Sequence, residues 1–177
     1  MIETFTLPQF IAIMGENKAK EALSSFSVGR NKDVENFIRN NAFSYQSSNN
    51  ARTYIIVDES FMVSGYFTLA MACMEIPDGI SKNLKKRMQG FGRYSADSVP
   101  CFLIGQIARE YTTPQQMLHL SDMLNIAIDY ILQAQEIVGG RFISLDCLEA
   151  LVPLYEKHGF QKIGKTGDLN QMIMFIG

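Results

Sequence analysis

Three cysteines, two histidines and one acid-free segment rich in cations are the residues whose spacing first bears on chemistry. Cys73, Cys101 and Cys147 are odd in number, far apart, and in no CxxC pair. A disulfide framework or a structural zinc site needs more ligands at closer spacing, and only His119 and His158 could add to them. The expectation is three buried, reduced thiols acting as small hydrophobes, and no metal. The ten methionines are likewise expected to fill core gaps rather than form an adaptable surface. From Ile80 to Arg93 the chain carries Lys82, Lys85, Lys86, Arg87 and Arg93 and no acid. That segment is +5 within a chain of net −2, so the remainder is −7. Such a run suits phosphate contacts, but a solvated surface segment has the same composition. The acidic balance, with pI near 5.7, opposes a protein that coats nucleic acid, and nucleic acid is not favoured as a partner.

The strongest element that can position chemistry is a helix over about 122–137. Leu120, Leu124, Ala127, Ile131 and Ala134 make one apolar stripe, and Ser121 is expected to cap it. Gly139-Gly140 stops it, as a glycine just past a helix end does. Its free N–H groups and positive dipole end follow a strand and a polar loop, which makes an anion site.

The rest of the chain alternates strands and helices. Pro8 opens a short helix to Met14, Gly15 interrupts it, and a weaker pattern runs through Ala19, Leu23 and Phe26. Asn31 caps a helix over 32–45 carrying Val34, Phe37, Ile38 and Ala42. Runs at 53–57 and 61–74 around Asp58-Glu59-Ser60 read as a β-hairpin. The basic segment and Ser95-Ala96-Asp97-Ser98 read as a long surface excursion before a strand at 101–108. A strand at 141–146, a helix at 148–157 ended by His158-Gly159, and strands at 161–164 and 171–176 complete the order. Strand–helix–strand over 101–146 implies parallel pairing, and the hairpins imply antiparallel pairing, hence a mixed-sheet α/β domain. At 177 residues and 47% hydrophobic, one domain spanning 1–177 is expected. No apolar run reaches the ~20 residues of a membrane span, and no signal peptide is visible, so a cytoplasmic location and no membrane partner are expected.

Leu145-Asp146-Cys147, Leu151 and Leu154-Tyr155-Glu156-Lys157-His158-Gly159-Phe160 together resemble the closing motif of the GNAT N-acetyltransferase superfamily. Leu103 to Glu110 is similar to that family's cofactor strand, and the helix at Asp122 to the helix under the pyrophosphate. Phe26-Ser27-Val28-Gly29, Val34 to Ile38, Ala51 to Ile55 and Gly65 to Leu69 are similar to the branch containing toxin-type acetyltransferases. The likeness runs from about Phe26 to Phe175. It departs at the cofactor loop, which is glycine-poor: Gln115 takes the first place of the motif, but Leu118 and Leu120 stand where glycines belong.

The resemblance implies a GNAT-like mixed, partly splayed β-sheet flanked by helices. It implies acetyl-CoA as cosubstrate and transfer of the acetyl group to a primary amine of unknown acceptor by direct attack. Backbone groups of Ile107, Ala108 and Arg109 would pair with the pantetheine arm, as an added strand does. A backbone N–H near Ile107 would face the thioester carbonyl. Gln115, Leu118, His119, Leu120 and Ser121 would surround the pyrophosphate. Tyr155 would be the general acid, protonating the leaving thiolate. Glu75 and Glu110 are weak candidates for a general base. A non-catalytic binding or regulatory protein of the same fold is the alternative, as is a toxin acetylating aminoacyl-tRNA. A homodimer is left open.

Overall fold

The computed structural model describes residues 2–29, 31–92 and 96–177. Arg93 of the basic segment and Ser95 lie outside these. Among the described residues seven strands form one mixed sheet in the order β1-β2-β3-β4-β5-β7-β6. They are β1 (Glu3–Thr6), β2 (Arg52–Val57), β3 (Val63–Glu75), β4 (Ser98–Arg109), β5 (Phe142–Cys147), β6 (Gln161–Thr166) and β7 (Leu169–Phe175). The helices are α1 (Leu7–Met14), α2 (Glu16–Ser24), α3 (Lys32–Asn36), α4 (Ala42–Ser47), α5 (Lys82–Gln89), α6 (Leu120–Val138) and α7 (Val152–Lys157). This is the GNAT-like α/β architecture. Among the described residues no helix is long and apolar enough to cross a membrane. The residues group into two compact units, 1–70 with 105–129, and 71–104 with 130–177.

In the first unit, β1 pairs antiparallel with β2, and β2 with β3. β1 is not expected from the sequence. Four residues at an edge, Glu-Thr-Phe-Thr, give too short a run for periodicity to show. Thr6 then caps α1 through a box with Gln9, and Pro8 sits in the first turn, where its missing N–H costs nothing. The helix expected over 32–45 forms with a wider turn over Phe37–Asn41 between α3 and α4. That one-residue bulge leaves the apolar face continuous: Phe37, Ile38 and Ala42 are all buried. They join Leu7, Phe10, Leu23, Phe26, Ile55 and Tyr66 in one core.

In the second unit, β4 pairs in parallel with β5 at Phe102↔Ile143 and Leu103↔Ser144. β7 lies antiparallel to both β5 and β6. Phe142, Ile173, Cys101, Val99 and Met88 form the core. The basic part of the surface excursion is helical: Ser81 caps α5, its hydroxyl accepting the Leu84 N–H at 3.2 Å. Leu84 and Met88 pack into the core while Lys82, Lys85, Lys86 and Arg87 stay exposed, a helical period the cations obscured. The thiol reading also needs correction. Cys101 and Cys147 are buried, but Cys73 is exposed on the part of β3 where burial alternates. Of the methionines, Met88, Met123 and Met172 are core, whereas Met62, Met71 and Met117 are exposed.

Candidate active site

The first unit assembles the end of β4, the loop that follows it and the start of α6. Ile107 and Arg109 are half-buried and Ala108 is buried in the core. Gln106 donates its backbone N–H to the Thr68 hydroxyl at 2.8 Å. Beyond β4 the backbone is tied on both sides. Glu110 N–H donates to the Ser64 carbonyl at 2.8 Å, and Tyr111 N–H to the Ser27 carbonyl at 2.7 Å. The Arg109 guanidinium donates to the Thr113 carbonyl at 2.6 Å, closing the turn. The Glu110 carboxylate accepts from both the backbone N–H and the hydroxyl of Thr112. Its contacts are those of a turn-forming acid; nothing at Glu110 favours a base.

Gly65 explains how α6 reaches this loop. A Cβ there would stand 2.7 Å from Met123 Sδ, 3.0 Å from Leu118 Cδ2 and 3.1 Å from the Ala108 carbonyl. Only a bare backbone lets these side chains lie on β3. A glycine inside a strand is the sequence signal for such close approach. Leu118 is fully buried there, worth about 1.5–3 kcal/mol of apolar burial. The leucine that replaces the motif glycine thus turns its side chain into the core. Around it Gln115, Gln116, Met117 and His119 are exposed.

The start of α6 differs from the sequence reading. The helix begins at Leu120, so Ser121 is inside the first turn and is not the cap. Asp122 does the capping: its carboxylate accepts the His119 backbone N–H at 2.8 Å, the acidic half of a capping box. An acid three residues past the cap position was the available signal. The residues present fit a phosphate group partly. A 19-residue helix ends on an exposed loop, but one carboxylate already sits in its first turn.

A buried acid holds the neighbouring loop. The Glu35 carboxylate accepts from the Val28 N–H at 3.0 Å and the Ser27 hydroxyl at 3.1 Å, and pairs with Lys32 and Arg39. These contacts, the Val28 bond foremost, lower its pKa to about 2 against the opposing effect of burial. Tyr111 lies over Gly29, whose Cβ would be 2.9 Å from the ring. Glu35 therefore braces the segment to which the β4–α6 loop is hydrogen-bonded.

In the second unit, β5 ends at Cys147 and a single 3₁₀ turn, Glu149–Leu151, leads into α7 with Pro153 in its first turn. Tyr155 is buried, its ring edge-on to Phe160 at 5.8 Å. Burial foremost, and then the neighbouring Cys147, raises the phenol's pKa well above its ordinary value. Asn170 donates to the Cys147 carbonyl at 3.3 Å and so fixes the strand end from which α7 departs. His158 bonds the Leu154 carbonyl at 2.9 Å, the helix-ending role its position suggested. Among the described residues no cluster of His, Cys, Asp and Glu is suited to a metal ion.

No protein-family model matches the chain, and no curated protein matches it by sequence. Solved structures match it over nearly its whole length. AtaT complexed with acetyl-methionyl-tRNAfMet is 19% identical, with a TM-score of 0.72 over 99% of this chain and 94% of that one. AtaTR bound with AcCoA is 18% identical, TM-score 0.72, over 98% and 93%. A tyrosine-to-phenylalanine mutant of KacT is 16% identical, TM-score 0.75, over 98% and 94%. The chain therefore has a GNAT-like acyltransferase fold. Within that class it has the form taken by the toxins AtaT and KacT, as the likeness from Phe26 to Phe175 implied.

Proposed function

We propose that this protein is an acetyl-CoA-dependent N-acetyltransferase that acts on a primary amine. The observation that carries the reading is the whole-length match to a fold whose similar structures include one bound with AcCoA. Acetyl-CoA supplies the activated acetyl group. Backbone groups of Ile107, Ala108 and Arg109 hold the pantetheine arm, and an N–H near Ile107 donates to the thioester carbonyl oxygen. The exposed loop residues Gln115 and His119 and the first backbone N–H groups of α6, at Leu120 and Ser121, receive the pyrophosphate. Leu118 contributes backbone only, because its side chain is buried.

Tyr155 donates the proton taken by the departing thiolate. An ordinary phenol, pKa about 10, is already protonated at neutral pH, and burial here pushes the same way. The test is titration calorimetry with acetyl-CoA together with a thiol-release assay against amine acceptors. Saturating ligand at ~100 times its dissociation constant adds about 2.7 kcal/mol of stability. Neither heat nor a melting shift at millimolar acetyl-CoA would leave the fold as a non-catalytic binding module.

One observation favours a more specific acceptor. The four described cations of the basic segment are exposed on α5, and a similar structure holds acetyl-methionyl-tRNAfMet. Phosphate contacts by Lys82, Lys85 and Lys86 are what an acceptor amine carried on tRNA requires.

A further inference from the structure

The first unit holds an open cavity of about 440 Å³ between the α2 end, the β2–β3 turn and the loop after β4. Three methionines, Met14, Met62 and Met117, line it with Phe61, and Asp58 and Glu110 add carboxylates. Met62 is 65% and Met117 47% exposed, where thioethers serve no core. A second groove of about 290 Å³ shares Asp58 and Phe61 and extends past Glu59 to Glu3.

The turn between them is built and strained. Phe61 has φ of +61°, a conformation that a bulky residue rarely adopts. Its N–H donates to the Asp58 carbonyl at 2.9 Å, and its ring stacks on Phe10 at 5.8 Å. The Asp58 carboxylate accepts the N–H groups of Ser60 at 2.8 Å and Met62 at 3.0 Å. Strain of this kind concentrates at ligand clamps and functional sites.

We propose that this surface docks a basic amphipathic peptide segment of a partner protein. Apolar side chains of the segment enter the methionine-lined cavity, and its Lys or Arg side chains lie along Asp58, Glu59, Glu110 and Glu3. Charge complementarity selects that occupant. Among the described residues no Lys, Arg or His lines either groove. The first unit carries seven Lys and Arg against ten Asp and Glu, a net of −3. The same charge repels a polynucleotide. Flexible thioethers adapt to varied apolar side chains, as peptide-binding surfaces rich in Met do. Two joined grooves suit an elongated segment better than a compact small molecule. The surface is argued without the acetyl-transfer reading, and its test reads binding rather than turnover.

The probe is a fluorescently labelled amphipathic peptide of leucine and lysine, compared by anisotropy with the same peptide carrying glutamate for lysine. The lysine peptide is expected to bind at micromolar concentration in ~150 mM salt, and the glutamate peptide not to bind. Met62→Lys with Met117→Lys changes two exposed positions and is expected to weaken binding at least about tenfold. Met62→Leu with Met117→Leu is expected to retain it. Melting curves matching the parent confirm that both variants fold. Equal binding of both peptides, or binding that the double lysine variant leaves unchanged, overturns the proposal. So does a homodimer that the double lysine variant dissociates, since the occupant is then a second copy of this chain.

Discussion

The carboxylate of Asp122 and the backbone N–H of His119 meet at 2.8 Å across the first turn of α6. This contact stabilises the helix start and places a negative charge where the proposed pyrophosphate also belongs. Asp122→Asn keeps an oxygen acceptor and removes the charge. A charge at a helix terminus is worth about 0.3–1 kcal/mol. The variant is therefore expected to bind acetyl-CoA about two- to fivefold more tightly, measured by calorimetry, while melting at or slightly below the parent. Weaker binding would mean that the carboxylate aids the ligand.

Gly65 gives a test of how the loop is seated. An added Cβ meets Met123, Leu118 and the Ala108 carbonyl, and the last is backbone that cannot swing away. Gly65→Ala is expected to cost about 1–3 kcal/mol in denaturant unfolding, the range of overpacked cores. Because Leu118 belongs to the β4–α6 loop, acetyl-CoA affinity is expected to fall with it. A variant as stable as the parent would show that α6 slides off β3 freely.

Tyr155→Phe removes the hydroxyl and keeps the ring against Phe160. Turnover is expected to drop about 10²–10⁴-fold with acetyl-CoA binding little altered, the scale of general acid catalysis. Unchanged turnover in the Phe variant would assign the proton to water or another group.

The elements that the sequence revealed are those with long or repeated patterns. α6, the β2–β3 hairpin and the Tyr155 to Phe160 segment each have enough residues for period and punctuation to agree. What escaped was decided by single contacts. Ser121 and Asp122 are both good capping types, and only the backbone path chose the carboxylate of Asp122. Leu118 sits at a glycine place of the motif, but its meaning depends on Gly65, 53 positions earlier in the chain. Glu35 stands in the sequence as one acid of a helical stretch, with no signal of its own. Its burial follows from Val28 and Ser27 closing over it, which no local pattern encodes.

Glu35 carries the pH dependence of that bracing. Its folded pKa, about 2, lies below the ordinary carboxylate value of about 4.3. A depressed folded value means that the contribution to stability is complete above the unfolded pKa and is lost as pH falls toward 2. Glu35→Gln removes that contribution at every pH. The melting-temperature gap between parent and variant is expected to be widest at pH 6 and above and to close between about pH 4.3 and 2. A gap independent of pH would mean that the carboxylate acts by shape alone.

The acceptor is tested on α5. Lys82, Lys85 and Lys86 are exposed, whereas Arg87 lies 3.9 Å over the Phe175 ring and helps hold the helix to its core. Gln89 accepts from Arg141 at 2.8 Å, which fixes the other end. Replacing the three lysines with Gln therefore removes phosphate-binding charge and leaves the packing contacts in place. If the amine is borne on tRNA, each lost phosphate contact lowers the salt slope of binding by about one unit, so the triple variant loses about three. The net charge of −2 opposes a polyanion, so binding of bulk tRNA is expected to be weak and to fall steeply between ~50 and ~150 mM salt. Filter binding at those two concentrations measures it, and acetyl-CoA titration of the same variant is expected to match the parent. Binding insensitive to salt, or unchanged in the triple variant, would remove tRNA as the carrier and leave a small amine or a protein amine as the acceptor.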